Sequence, residues 1–479
     1  MRTPEQRRDE ISAVPLPPSV RGLPLLGNAL DLFRNPLALF VKAYQHLGPI
    51  FRVQAPGRAY TVLAGPEATL FLAQGGEAYL SSRQVFSTVM RELRTENFIA
   101  ALDGEAHRHQ RRILKPALSR EAIRRYIPRM TESAERLARN WRPGERLRVM
   151  PMMQLLVSEQ LGLAMMNHGL GERFQDAVTF AETLVGAGAA GTWPAMMLRF
   201  SSYRTAKARI VALMRELIAR RRAQGSHEQR GDAPDLLDAL LAARDLQGNP
   251  LSEEELIVGA QLPYIAGMDT AAATSSFLLY ALLRHPILLE RVSAEVDAAF
   301  ASGTLTAQAL GQMPLLHAAA METFRLYPVV SAVPRHAARS FTFQGYRIEA
   351  GQPLLISTTA SHFLPHLFPN PLVFDIERYR EPRNEHRQPG SFAPFAAGPH
   401  TCVASGIAEV VVMTTVAALL HTTRLELEPP GYILRMTINP LPAPETRFRV
   451  SVCEQRKHEG LPISDSPRAK DEQVGVLAT

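Results

Sequence analysis

Ser391 to His421 reads SFAPFAAGPHTCVASGIAEVVVMTTVAALLH, and the rest of the chain is read outward from it. Gly398 and Pro399 break any regular element just before Cys402. From Val403 onward, small and apolar residues run on at helical length. Cys402 is therefore expected at or just before a helix N-terminus, where unpaired N–H groups and the helix dipole favour a thiolate. Such a thiolate is a nucleophile, a metal ligand or a haem-iron ligand. The plainer alternative is a buried free cysteine. A structural zinc site would need further Cys or His at short spacing, and none lies near.

Upstream, Ser252-Glu253-Glu254-Glu255 forms a capping box ahead of an apolar run that Pro286 ends after His285. That predicts one long helix, apolar on most faces, crossing the middle of a large domain. Within it lie Ala266-Gly267-Met268-Asp269-Thr270, with Pro263 and Gly267 favouring a local kink. An Asp beside a Thr in such a helix is costly unless it serves something. A further helix, from Pro314 to about Tyr327, carries Glu322 and Arg325 three apart, on one face. Earlier, His107 and Arg111 share a helix face, two cations that repel unless an anion binds there. The alternative for each pair is an ordinary surface face.

The chain has 479 residues, 46% of them hydrophobic, enough for a large core. No run of about 18 apolar residues appears and the N-terminus is polar, so neither signal peptide nor membrane anchor is expected. A cytoplasmic protein follows. Two cysteines, Cys402 and Cys453, make no disulfide framework;. The net charge of +7 suits an acidic partner. The basic residues are dispersed without an aromatic-basic pattern, so no nucleic-acid binding is expected.

The pattern Phe395-x-x-Gly398-x-His400-x-Cys402-x-Ala404 resembles the cysteine-ligand loop of the cytochrome P-450 superfamily, the haem-thiolate monooxygenases, in its bacterial, soluble form. Other motifs occur in the family's order, so the resemblance covers nearly the whole chain. It implies a mainly α fold with small β-sheets, a triangular helical prism with a long central helix over the haem. The cofactor implied is haem b (iron protoporphyrin IX), with Cys402 as iron ligand and O2 as co-substrate. His107, Arg111, Arg335 and His400 would hold the propionates, and Phe395, Gly398 and Ala404 would shape the loop. Ala266 and Gly267 would lie over the iron, leaving room for dioxygen and substrate. Thr270 would hydrogen-bond the oxygen and Asp269 relay protons. Glu322, Arg325 and Arg378, the last from Phe374-Asp375-Ile376-Glu377-Arg378, would fold the haem-binding core. Phe86, Met90, Val185, Val329, Val330 and Ala332, with Ala266, are the candidate substrate pocket. Ala396 and Ala404 replace loop glycines of the family, a change tolerated where φ is negative.

The resemblance implies oxidation of a lipophilic small molecule of terpenoid, sterol, polyketide or fatty-acid type. Electrons would come from NAD(P)H through a separate ferredoxin or flavodoxin and its reductase. The basic run Arg112, Lys115, Arg120, Arg124, Arg125 offers such a carrier a surface. Alternatives are a haem-thiolate isomerase, dehydratase or peroxide-driven enzyme, and a non-enzymatic haem-binding protein. Residues 1–30 are expected to be a proline-rich arm, 31–454 a single monomeric domain, and 455–479 a polar, disordered tail. Residues 127–166 read as helical throughout. Gly186, Gly188 and Gly191 with Trp193-Pro194 are expected to interrupt a helix.

Overall fold

The long helix runs Glu253–Arg284 in the computed structural model, which describes residues 13–456. Its start is the expected capping box: the Ser252 side chain accepts from the Glu255 N–H, and the Glu255 side chain accepts from Ser252. Its second half, Asp269–Arg284, is buried on every side from Ala271 to Leu282, so it lies inside the protein;. Between the α-helical halves, Pro263–Met268 widens into a π turn. Pro263 has no N–H to give the preceding turn and its ring crowds the carbonyl four residues back, which forces the local widening.

The cysteine helix, Ser405–Thr422, packs against that long helix. It and Val149–Met166 are long and apolar enough to cross a membrane by composition, but 78% and 72% of those windows are buried inside the protein. They are core helices. Among the described residues, four small sheets lie beside the helices. The largest has the strand order Ile50–Ala55, Arg58–Ala64, Pro353–Ser357, Val333–Ala337, Leu80–Ser81. Its first two strands form a hairpin across Pro56-Gly57, with Ile50 opposite Leu63;. A second sheet joins Arg146–Arg148, Arg449–Gln455 and Thr423–Glu428.

Three expectations are corrected. Residues 127–166 are not one helix: Ile127–Ala138 and Val149–Met166 are separated by a turn and the strand Arg146–Arg148. Gly144, at φ +85° after Pro143, makes that turn;. The glycines near 186 do not interrupt their helix either, because Phe174–Thr183 continues as a π turn over Leu184–Ala190 and stops only at Gly191. A Cβ on Gly186 would stand 2.7 Å from the Trp193 ring, so that glycine serves close packing. Lastly, Gln455 ends a strand, with its side chain donating to the carbonyls of Ala138 and Trp141. Residues 1–12 of the arm and 457–479 of the tail lie outside the described residues.

Candidate active site around Cys402

The cysteine loop is closed by its own backbone. The Cys402 N–H donates to the Phe395 carbonyl at 3.0 Å, and the Thr401 N–H to Gly398 at 3.0 Å. Gly398 takes φ +73°, and a Cβ there would sit 2.3 Å from the Leu72 carbonyl oxygen, so no larger residue fits;. The tolerance argued for alanine holds at Ala404, with φ −101°. It does not hold at Ala396, whose φ is +61°, a left-handed conformation costing an alanine about 1–2 kcal/mol;. Phe395 packs against Phe324 at 5.1 Å, tying the loop to the helix Pro314–Leu326. The Cys402 thiol is accessible. Desolvation by the surrounding protein nevertheless raises its pKa, while the Ala404 N–H and the Arg111 charge pull it down. A thiol both desolvated and accessible faces an internal cavity rather than bulk water.

A cationic cluster lies beside it. His107 and Arg111 come from the helix Gly104–Leu114. The buried His107 ring stacks on His400, with centroids 3.7 Å apart and planes at 11°. Burial, then Arg111 and Arg335, push His107 down to about 4. Burial, then Arg335 and His107, push His400 down to about 3. Both rings are neutral at pH 7. Arg335 lies on the strand Val333–Ala337, and burial pushes it down to about 10. The acid whose charge reaches it, Asp103, is already committed to Ser81 Oγ at 2.6 Å and the Ser82 N–H at 3.0 Å. Arg111 donates to the Thr401 carbonyl.

On the long helix, Ala266 is exposed although its neighbours Ile265 and Met268 are buried. Gly267, Asp269 and Thr270 are half-buried. Accessible small residues in the middle of a core helix line a cavity. The Thr270 hydroxyl donates back to the Ala266 carbonyl at 2.9 Å, so its oxygen faces outward as an acceptor rather than as the expected donor;. Asp269 Oδ1 accepts from Gln154 Nε2 at 2.8 Å, and the same nitrogen donates to Glu182 Oε1 at 2.9 Å.

Glu322, Arg325 and Arg378 meet as expected, fully buried at 0%, 0% and 1% exposure. Arg325 forks onto both Glu322 oxygens at 2.8 Å. Arg378 Nε donates to Glu322 at 3.2 Å and its Nη1 to Glu385 at 2.7 Å. The Asp375 N–H and the Tyr379 hydroxyl each add a bond to Glu322 at 3.0 Å. Every charge is paired and its remaining hydrogen-bonding capacity largely used, the condition under which buried ions are tolerated.

His362 extends this network to the cysteine loop. Its Nε2 accepts the Ala393 N–H at 3.1 Å, so Nδ1 carries the proton and donates to the Arg325 carbonyl at 3.2 Å;. Burial and Arg325 push it down to about 3. The sequence reading missed His362, Glu385, Gln154 and Glu182.

The candidate pocket residues separate. Met90 belongs to the main core, with Phe86 and Val185 half-buried on it. Phe86 meets Phe98 edge-on at 5.9 Å. Val329 packs with Ala273 and Phe277 of the long helix. Ala332 packs instead with Phe40 and Val62 against the large sheet, away from the others. Val330 is half-buried and its carbonyl accepts from Thr359. Among the described residues no group of three or more His, Cys, Asp or Glu could hold a metal ion.

The family model for cytochrome P450 matches residues 17–451. A putative cytochrome P450 120 of Synechocystis is 29% identical, covering 92% of this chain and 98% of its own. The cyclooctat-9-en-7-ol 5-monooxygenase of Streptomyces melanosporofaciens is 29% identical over 86% of this chain and 90% of its own. A sterol 14alpha-demethylase of Mycolicibacterium vanbaalenii is 27% identical over 84% and 89%. Among solved structures, the retinoic acid-bound cyanobacterial CYP120A1 superposes with TM-score 0.79 at 26% identity, over 92% of this chain and 99% of that one.

Proposed function

This chain belongs to the cytochrome P450 family of haem monooxygenases, and we propose that Cys402 is its iron ligand and a lipophilic small molecule its substrate. The observation that carries the assignment is the Cys402 thiol, desolvated yet accessible, with the Ala404 N–H and the Arg111 charge favouring its thiolate. The residues around it fit haem b. Arg335 and Arg111, beside the neutral stacked His107–His400 pair, are desolvated cations that call for anions, and a haem brings two carboxylates;. When bound, the haem supplies the activation of dioxygen, one oxygen atom entering substrate and the other leaving as water.

The chain's own residues do the rest. Cys402 would hold the haem iron, with its charge donation tempered by the Ala404 N–H;. Ala266 and Gly267 leave space on the long helix, and Thr270 presents its hydroxyl oxygen there. Asp269 holds a proton next to it. Glu322, Arg325 and Arg378 keep the cysteine loop in register through His362. Val329, Phe86 and Val185, each half-buried, give the substrate apolar contacts.

The relatives named above act on, or hold, lipophilic molecules: a cyclooctatenol, a sterol and retinoic acid. A terpenoid or sterol is accordingly the substrate class proposed here. A separate electron carrier, of ferredoxin or flavodoxin type and fed from NAD(P)H, docks on the exposed Arg112, Lys115, Arg120, Arg124 and Arg125. This face borders the cysteine helix, where Arg120 pairs with Glu409 and lies against Gly406.

The test is turnover of a terpenoid and sterol panel with a surrogate ferredoxin system under isotopically labelled dioxygen. One labelled oxygen atom in the product is expected. Product without label, or formed only with added peroxide, would instead support the isomerase or peroxide-driven readings.

A further inference from the structure

Two carboxylates meet beside the cavity where one is expected. Asp269 lies on the long helix, Glu182 on the helix Phe174–Thr183, and Gln154 on the helix Val149–Met166. One amide nitrogen of Gln154 donates to Asp269 Oδ1 at 2.8 Å and to Glu182 Oε1 at 2.9 Å. The two N–H bonds of an amide diverge at about 120°, so the accepting oxygens stand about 5 Å apart. At that separation, in a desolvated site, two negative charges repel strongly.

Among the described residues, no cation figures in the electrostatics of either. The influences on Asp269 are burial, the Glu182 charge and the Gln154 bond. Those on Glu182 are burial and the Gln154 bond. Of the other charged groups on these helices, Glu159 and Asp176 are engaged elsewhere, and Arg284 lies at the far end of its helix. Glu159 accepts from the N–H groups of Leu170 and Gly171, and Asp176 pairs with Arg173 and Arg209. The helix Ser201–Gln224, packed on the Glu182 helix, turns Arg209 to Asp176 and Lys207 to Glu92.

We propose that Glu182 and Asp269, bridged by Gln154, form one acid pair that holds a single proton at neutral pH, with Glu182 setting the proton affinity of Asp269. Glu182 is a positioning residue here, since it acts on the cavity through Asp269. The direction of the perturbation agrees: burial and then Glu182 push Asp269 up to about 7, and burial raises Glu182 too. A carboxylic acid with that affinity can both give and regain a proton in the range where the enzyme works. The proton delivered beside Thr270 is thus already stored in the wall of the cavity. Its role in turnover rests on the monooxygenase reading, whereas the stored proton itself does not.

The test is infrared spectroscopy of the haem-loaded full chain across pH, following the carbonyl stretch of a protonated carboxyl group and its shift in deuterated water. A protonated carboxyl is expected at pH 7 and is lost in Asp269→Asn. Glu182→Gln removes the like charge, so the band should titrate away at least one pH unit lower. Gln154→Leu removes the N–H bonds that favour the ionised forms, so the band should persist to higher pH. Opposite shifts from two neighbouring substitutions are a result that loosened packing does not produce. In turnover, the alkaline limit of product formed per electron consumed should move down in Glu182→Gln. Absence of a protonated carboxyl at pH 7, or a titration that Glu182→Gln leaves in place, would overturn the pair. A lost thiolate spectrum with these bands intact would instead count against the haem-thiolate reading alone.

Discussion

His362→Phe tests how the buried ion network holds the cysteine loop. The phenylalanine keeps the ring that stacks on Phe392 at 5.2 Å. It removes both hydrogen bonds, leaving the Ala393 N–H and the Arg325 carbonyl unpaired at sites where His362 is fully buried. Each orphaned backbone group costs about 1–3 kcal/mol, so the variant should lose roughly 2–6 kcal/mol at pH 7. The pH dependence has a definite sign. The folded-state pKa of His362 is down at about 3, below its ordinary value, so the fold favours the neutral ring. That contribution is complete above the unfolded value near 6.5 and is lost as pH falls from there toward the folded value. At pH 5 the wild type should have forfeited about 2 kcal/mol of it, and the phenylalanine variant none. The gap between the two therefore narrows on acidification. Urea unfolding of both proteins, followed by circular dichroism at pH 7 and pH 5, measures it. A cost below about 0.5 kcal/mol at pH 7, or a gap that widens in acid, would refute the bridge.

Ala396→Gly should raise the thermal midpoint. It relieves left-handed strain of about 1–2 kcal/mol against a glycine entropy cost of about 0.4–1 kcal/mol; an unchanged or lower midpoint would contradict the strain. Tyr379→Phe removes one of the bonds to Glu322 and should cost about 1–2 kcal/mol in urea unfolding, with haem binding retained;. Glu322→Leu leaves the buried Arg325 guanidinium without a carboxylate, at about 3–5 kcal/mol, and leaves Arg378 with Glu385 alone;. Expression trials should then recover no folded, haem-loaded protein. Arg335→Met removes a cation held ready for an anion, and haem transfer to excess apomyoglobin should speed up about tenfold or more; an unchanged rate would remove Arg335 from the cofactor site.

Much of this site was readable because its chemistry is local in sequence. Glu322 and Arg325 sit one helical turn apart, and Cys402 announces itself by the Gly398-Pro399 break and the apolar helix after it. Ala266 to Thr270 stand out because polar and small residues are costly in a buried helix. What was missed depends on topology. Glu182 and Gln154 lie on other helices, and nothing in their neighbourhoods marks them; only the packing of three helices brings them to Asp269. His362 looks like any histidine in a Ser-His-Phe stretch until the strand before it delivers it between Arg325 and Ala393. Ala332 was assigned to the pocket from its sequence neighbours, but it stands just before the strand Val333–Ala337 and packs with Phe40 and Val62. The left-handed Ala396 was unreadable because alanine carries no signal for positive φ, and the neighbouring backbone imposes it.

The central claim is that Cys402 binds haem iron as a thiolate, and the absorption spectrum of the dithionite-reduced protein under carbon monoxide tests it most directly. A strongly red-shifted Soret band is expected, and it is abolished in Cys402→Ala. A band at the position of histidine-ligated haem, or no haem uptake by the wild type, would contradict it and return Cys402 to a structural cysteine.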